Sequence, residues 1–468
     1  MPTLFATVSD VVTDLDRRQA SSAEIVEMLL ARIATHNPAL NAVVTLDAEG
    51  ARRAARAADA ARANGASTGP LHGVPLTVKD AFCTAGLRTT CAYPPLRDYL
   101  PLHDAAVVSR LKAAGAILLG KTNVPWLLDD AQTDNPIFGR TNNPWDLQRT
   151  PGGSSGGGAA AVAAGLSLAD IGSDYGGSVR IPAHFCGVYG LRPTEGRVSL
   201  TGHLPPLERQ PPAIRHISTP GPLARSVADL GLLLRVIAGP DRRAPSIAPA
   251  PVGTHGPMAA PQVRLAYAPT FAGLAPSAAT CAAIERLASD LAAAGCQVDA
   301  HDPAHDGFDA AAAREAISVI SQAEWDAAGW PELDPTASVA ESTSLRAYAA
   351  ALAERDRLIT AFQRMFDRYA AFICPVTPTS AFAHRPKGTP IPCDGRLLTY
   401  RQATASYTIP LSLLGVPVVT APVGWDDDGL PIGVQIVGPR WGDAHLLAVA
   451  ALVEQVTGGF RPPPDRER

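Results

Sequence analysis

Apolar positions along this chain follow two alternating periods, one of about four residues and one typical of short β-branched runs. In SSAEIVEMLLARIATHNP, from Ser21 to Pro38, Ile25, Leu29 and Ile33 fall four residues apart, as one buried helix face requires. The serines ahead of them suit a helix N-cap, and Asn37-Pro38 is expected to end the helix. NAVVTL, from Asn41 to Leu46, reads as a strand. The alanine and arginine run from Ala51 to Ala63 predicts a surface helix stopped by Asn64-Gly65, and GVPLTVKDAF predicts the next strand. SRLKAAGAILLGKTNVP reads as helix, glycine stop and strand. The same alternation recurs at ARSVADLGLLLRVIAGP, VRLAYAP, CAAIERLASDLAAAGCQVDA, AFICPVTP and GVQIVGP, so the expected class is α/β over the whole length.

Two stretches break this rhythm. Residues 238–262 are dense in Pro, Ala and Gly and are expected to be a surface connection inside one architecture, not a boundary. Residues 303–344 look irregular, with Trp325 and Trp330, and read as a helical insertion that lines or covers a pocket. No internal repeat is evident, and the C-terminal PPPDRER reads as a loose tail.

Composition narrows the class. The chain has 468 residues, 46% hydrophobic and 18% charged, enough apolar material for a large core. Its net charge is −4, and no basic run interleaved with aromatics offers a footprint for nucleic acid. Cys83, Cys91, Cys186, Cys281, Cys296, Cys374 and Cys393 contain no C-x-x-C pair and read as reduced, mostly core thiols. His72, His103, His203 and His216 lack metal-ligand spacing. The N-terminus has no basic segment followed by a long apolar one, and no run approaches the roughly 18 apolar residues a spanning helix needs. A cytoplasmic location without membrane contact is expected.

The glycine-rich stretch TPGGSSGGGAAAVAAG, residues 150–165, raises three possibilities. A phosphate loop would need a lysine after its last glycine, and Gly157 is followed by Gly158 and Ala159. A free linker does not suit Ala159 to Ala164, whose helix propensity is high, so the stretch reads as a loop pinned to a buried helix. Downstream, Gly176 and Gly177 precede Ser178, and paired glycines let successive backbone N–H groups converge on one space as an oxyanion hole does. Ser178 is then the candidate nucleophile. Lys79, in the apolar alternation of LTVKDAF, is the candidate base, since burial would lower its pKa towards neutrality, and Asp80 should point to the other strand face. His184 and Cys186 would suggest a cysteine nucleophile instead, but no glycine loop precedes Cys186, which favours core packing.

At these residues the chain resembles the amidase signature family. The resemblance runs through SSAEIVE, NPALNAVVTLD, GPLHGVPLTVKD, GKTN, FGRTNNPWD, TPGGSSGGGAAAVAAG, SDYGGSVRIPAHFCGVYGLRPT, GPLARSVADL and GLPIGVQIVGP. It implies a single-domain amidase-signature fold over residues 1–468, with a mixed central β-sheet covered by helices on both faces. Within it, residues 1–65 form an N-terminal helical region, 66–237 the catalytic core, and 263–461 the rest of the α/β domain. It further implies a Ser–Ser–Lys arrangement of nucleophile Ser178, bridging Ser154 and base Lys79, with the family's spacing between the serines and a cis peptide bond at Gly153–Ser154. The backbone N–H groups of Tyr175, Gly176, Gly177 and Ser178 would hold the oxyanion of an acyl transfer that passes through an acyl-enzyme, with no metal or cofactor.

Ser155, Asp174 and Arg180 are expected to brace this loop, the last two as an ion pair. Trp126, Leu127 and Tyr175 are expected to line the substrate pocket. Trp126 stands where many members carry glutamate, Tyr175 where smaller or aliphatic residues are common, and Ser412 where asparagine is frequent. The expected activity is hydrolysis of small apolar or aryl amides, with esters or carbamates as further substrates, by a monomer or homodimer without nucleic acid. The alternative is a glutamine-hydrolysing subunit of a tRNA-dependent amidotransferase. Candidates for all three chemical roles argue against a non-catalytic binding protein on the same scaffold.

Overall fold

Strands from both halves of the chain join one mixed sheet in the computed structural model, which describes residues 4–66, 69–204, 214–254, 256, 258–327 and 343–464. In chain order the strands are β1 (Val43–Leu46), β2 (Pro75–Lys79), β3 (Ile117–Thr122), β4 (Ala169–Asp174), β5 (Tyr189–Arg192), β6 (Thr219–Ala224), β7 (Arg264–Tyr267), β8 (Gln297–Ala300), β9 (Ala371–Pro375), β10 (Ile391–Cys393), β11 (Arg396–Leu398), β12 (Val418–Trp425) and β13 (Pro431–Val437). The sheet order is β1-β3-β2-β4-β6-β5-β12-β13-β9-β7-β8, and β10 and β11 form a separate ribbon. β2 runs parallel to β3 and β4, and β7 parallel to β8 and β9; the other neighbours in the sheet are antiparallel.

Every residue of β2, β4, β5, β6, β9 and β13 is buried, which requires cover on both faces of the sheet. β2, which ends at Lys79, lies inside the sheet between β3 and β4. The predicted helices form at Ser22–Leu40, Ala48–Ala63, Ala106–Ala113, Val227–Ile237 and Ala278–Ala293. Ser21 caps the first of these by accepting from the Glu24 N–H at 3.2 Å, while the Glu24 carboxylate accepts from the Ser21 N–H at 2.8 Å.

That helix does not stop at Asn37-Pro38 but continues to Leu40. Pro38 falls in its last turn, where the missing N–H forfeits only one bond, and the Asn37 side chain accepts from the Ala42 and Val43 N–H groups at 2.9 Å each. Of the stretch 303–344, read as a helical insertion, residues 303–327 and 343–344 are described, and Ala310–Ala327 is one helix. Its buried face is Ala313, Ala316, Ile317, Ile320 and Glu324, so alanine and a carboxylate blur the apolar contrast. Trp325 lies on this helix, whereas Trp330 falls outside the described residues. Residues 238–262 carry one short turn of 3-10 helix, Ala260–Gln262. Among the described residues, no helix is long and apolar enough to cross a membrane.

The helix Gly156–Ala163 is buried along its whole length beside β2, β3 and β4, and its glycines permit that approach. A Cβ on Gly157 would stand 2.3 Å from the Asn123 backbone nitrogen and 2.6 Å from its carbonyl oxygen, and one on Gly158 would stand 2.2 Å from Asp170 Oδ2. Alanine is favoured over glycine by about 1 kcal/mol in an exposed helix interior. Against backbone atoms at these distances, steric cost should win. Gly157→Ala is expected to destabilise the protein by about 1 to 3 kcal/mol, read as a lower melting temperature; a melt as high as the parent's would refute this packing account.

Candidate active site

Lys79 ends β2 and is fully buried. Its Nζ lies 2.8 Å from Ser154 Oγ, 3.1 Å from Ser173 Oγ and 3.2 Å from the Ser173 carbonyl oxygen. Burial lowers its pKa to about 7, against the opposing fields of Cys91, Asp174 and Asp170. Burial also pushes the Cys91 thiol upward, so that group stays uncharged at neutral pH and the carboxylates supply the opposing field. Half-neutral near pH 7, this amine has a lone pair able to take a proton. Asp80 engages Thr90 instead, accepting from its N–H at 3.2 Å and its Oγ1–H at 2.5 Å.

The register of the parallel strands explains why these groups meet. Thr77 and Val78 of β2 sit beside Asp170 and Ile171 of β4, so Lys79 and Ser173 emerge at the same end of neighbouring strands. Ser154 arrives from a different direction, in the loop entering the helix Gly156–Ala163, and the Gly153–Ser154 peptide bond is cis. A Cβ on Gly153 would meet the Asp130 carbonyl oxygen at 2.4 Å, so segment 130–132 backs directly onto this peptide.

Ser178 follows β4 by four residues and is only partly buried, whereas Ser154 is 1% exposed. The Ser178 carbonyl accepts from the Ser155 N–H at 3.0 Å, which ties the two serine loops together. Ser155 Oγ makes a longer bond of 3.4 Å to the Ser173 carbonyl. Among the described residues, Ser178 Oγ has no hydrogen-bond partner; such catalytic bonds commonly tighten only when substrate is bound.

Asp174 and Arg180 form a fully buried ion pair. Arg180 Nε donates to Asp174 Oδ2 at 3.0 Å and Nη2 to Oδ1 at 2.8 Å. The remaining guanidinium hydrogens go to Gln435 Oε1 at 2.8 Å, the Thr408 carbonyl at 3.0 Å and Ser412 Oγ at 2.6 Å, which gives Ser412 a defined role as an acceptor. Burial raises the Asp174 pKa, but the Arg180 guanidinium overcomes it and holds the carboxyl far below the usual range. Asp174 also accepts from the N–H groups of Gly177 and Val179, each at 3.0 Å.

That last bond changes the anion-binding loop. Of the four amides expected to converge, the Gly177 N–H is already committed to Asp174, and its φ of 127° is one that favours glycine. Those of Tyr175, Gly176 and Ser178 meet no acceptor among the described residues. The Gly176 carbonyl is turned away from the loop mouth by accepting from Thr408 Oγ1 at 2.6 Å.

Tyr175 reaches outward from the loop, its hydroxyl bonded to Ser321 Oγ on the helix Ala310–Ala327. Near the end of that helix, Glu324 bonds the His216 ring and accepts from Tyr348 Oη at 3.1 Å. Trp126 and Leu127 occupy a short turn, Trp126–Leu128, whose Leu127 N–H bonds the Cys91 carbonyl at 3.1 Å. Leu127 is buried in the main apolar core, and Trp126 is partly buried against it.

His184 and Cys186 are core residues: His184 Nδ1 accepts from the Gly433 N–H at 2.6 Å, and burial drives the Cys186 thiol pKa far upward. Two groups in the site are not expected there from the sequence, which marks His203 only as a histidine without metal-ligand spacing. Ser173 touches Lys79 through two atoms, and His203 Nε2 lies 2.8 Å from Ser173 Oγ. His203 carries no local signal, because what gives it meaning is a loop that returns to β2 from more than a hundred residues away. Among the described residues no group of three or more His, Cys, Asp or Glu side chains is arranged to hold a metal ion.

The sequence matches the family model described as Amidase over residues 24–447. It is 36% identical, over an alignment of 502 positions covering 98% of each chain, to a glutamyl-tRNA(Gln) amidotransferase subunit from Roseiflexus sp. (strain RS-1). The fold superposes on a bacterial aryl acylamidase of the amidase signature family with a TM-score of 0.81 at 26% identity, covering 97% of this chain and 96% of that one. It superposes on 6-aminohexanoate cyclic dimer hydrolase in complex with substrate with a TM-score of 0.81 at 29% identity, covering 98% and 99%.

The Asp174 pair lends itself to a stability test. Asp174→Ala leaves the Arg180 guanidinium buried without its carboxylate and frees the backbone amides of Gly177, Val179 and Arg180, which is expected to cost about 3 to 5 kcal/mol. Since the folded carboxyl is depressed, the pair's contribution is complete above the ordinary value of 3.8 and is lost as pH falls below it. Calorimetric melts of parent and variant at neutral pH should differ by many degrees; coincident melts would show that the pair is not holding the loop.

Proposed function

The chain belongs to the amidase family and is an enzyme acting on C–N amide bonds, and from that premise we propose that it hydrolyses small apolar or aryl amides through an acyl-enzyme on Ser178. The observation that carries this reading is a buried Lys79 with its pKa near 7 in contact with Ser154, whose loop bonds that of a partly exposed Ser178, with amides around it that meet no acceptor among the described residues. Neutral Lys79 takes a proton from Ser154 Oγ as Ser154 takes one from Ser178 Oγ, and the Ser178 oxygen attacks the substrate carbonyl. Negative charge on the former carbonyl oxygen is met by the N–H groups of Tyr175, Gly176 and Ser178, each worth on the order of 10²- to 10³-fold in rate. Gly177 shapes the loop in this scheme while its own N–H stays on Asp174.

As the C–N bond breaks, Ser154 passes its proton to the leaving nitrogen and recovers one from Lys79. Water then repeats the sequence against the Ser178 ester and releases the acid. No metal or cofactor takes part in this scheme. Esters and carbamates present the same carbonyl geometry and belong to the proposed substrate range. The partly buried Trp126 and Tyr175, with Ile409 lying against Gly176, favour apolar groups over charged ones.

The second reading is a glutamine-hydrolysing amidotransferase component, favoured by the 36% identity over almost the full length of such a protein. The two separate cleanly in assay. On the first, the purified chain alone hydrolyses an aryl amide; on the second, glutaminase activity appears only when partner subunits are added.

Ser178→Ala is expected to lower kcat by at least about 10³-fold while the protein still folds. Wild-type-like turnover of an aryl amide by this variant would sink the acyl-enzyme reading. Because the active base is the deprotonated lysine, kcat/KM should rise as pH passes about 7 and level off above it, burial lowering the lysine against the opposing carboxylates of Asp174 and Asp170. A profile falling between about pH 7 and 9 would remove Lys79 from the role of base.

A further inference from the structure

A neutral lysine amine has two N–H donors and one lone pair, and Lys79 has three oxygen neighbours within 3.2 Å. The Ser173 carbonyl can only accept, so it takes one N–H. The other N–H and the lone pair must be divided between two hydroxyls, those of Ser154 and Ser173. In one arrangement the lone pair faces the Ser154 hydrogen, which is the arrangement a base needs. In the other, the Ser173 hydrogen occupies the lone pair and Lys79 can only donate to Ser154. Distances alone do not choose between the two.

The choice depends on where the Ser173 hydrogen goes, and the structure provides a second destination in His203 Nε2, 2.8 Å from Ser173 Oγ. The ring is held in place by its loop. The His203 N–H donates to the Leu200 carbonyl at 2.9 Å, Leu204 N–H to Ala81 at 2.7 Å, and Cys83 N–H to Gly202 at 2.8 Å, while the imidazole stands edge-on to Phe82 with ring centres 5.0 Å apart. We propose that His203 is a positioning residue which, by accepting the Ser173 hydrogen at a bare Nε2, leaves the Lys79 lone pair to Ser154 and so sets the direction of proton flow through the site.

The imidazole must then be neutral and carry its hydrogen on Nδ1. Neutrality is well supported, since burial, followed by the ammonium fields of Lys79 and Lys121, holds its pKa down to about 3. No charged group has to move for the device to work, because the tautomer alone orients the chain Ser154, Lys79, Ser173, His203. The opposite tautomer would donate into Ser173 Oγ and turn the Ser173 hydrogen onto the base.

This inference rests on the Ser178 acyl-enzyme reading, and the test separates the two. His203→Phe keeps a flat ring but removes the acceptor, so kcat should fall about 10- to 100-fold with KM unchanged within about twofold, part of what a well-oriented base contributes. Removing the competing hydroxyl in that background, as His203→Phe/Ser173→Ala, should restore most of the loss, because His203 acts only through the Ser173 hydrogen. His203→Gln, which keeps a side-chain acceptor, should retain kcat within about threefold.

Melting curves of each variant report folding, and nitrogen NMR of the imidazole in the intact protein should show the Nδ1–H tautomer. The proposal is overturned if the double variant is no faster than His203→Phe, if His203→Phe keeps parental kcat, or if the tautomer is Nε2–H. Ser178→Ala run alongside isolates the underlying reading: its inactivity together with multiplicative losses at His203 and Ser173 defeats the polarity inference alone, and its full activity defeats the acyl-enzyme reading.

Discussion

A lysine buried without a carboxylate in contact is the constraint on which the rest of this site depends. Taking an ammonium out of water costs several kcal/mol unless it is paired, and among the described residues Lys79 Nζ bonds two hydroxyls and a carbonyl. Its pKa therefore falls to about 7. The nearby acid that might have kept it charged, Asp174, is already bound by both nitrogens of one edge of Arg180 and by three backbone amides. One buried ion pair thus does two things at once: it shapes the loop around Ser178, and it withholds a full counter-charge from the lysine next to it.

Such an environment exists only because the sheet is covered on both faces. β2 and β4 lie side by side in its interior, and their parallel register delivers Lys79 and Ser173 to the same end. Ser154 has to be brought against them by a helix that packs closer than side chains would allow. Gly157 and Gly158 remove the atoms that would otherwise collide with Asn123 and Asp170. The glycine-rich stretch is best understood as a packing surface whose first residues carry the chemistry.

Much of the fold was legible in the sequence, because helix and strand periods are local properties. The helix from Ser22 and the strands β2, β3, β7, β9 and β13 lie where the apolar pattern places them. The one misplaced helix end has a local cause too. Pro38 is tolerated because it falls in the last turn. In the site, Ser178 stands out by its glycine motif, Lys79 by its place in an apolar strand, Ser154 through the family resemblance, and Asp174 and Arg180 as a pair by proximity in the chain. The commitment of the Gly177 amide was not visible, since it follows from the way Asp174 folds back over the turn.

By itself, then, the sequence determined the α/β alternation, the amidase resemblance, and which side chains could supply a nucleophile, a relay and a base. Tertiary structure alone decided how they are oriented: that Lys79 is buried enough for its pKa to fall to about 7, that three loop amides meet no acceptor among the described residues, and that His203 reaches Ser173 from thirty residues further along the chain. The physical reason is that periodicity and motif record short-range preferences. Desolvation and hydrogen-bond direction depend on which atoms other segments bring within about 3 Å, and no local pattern in the chain encodes those neighbours.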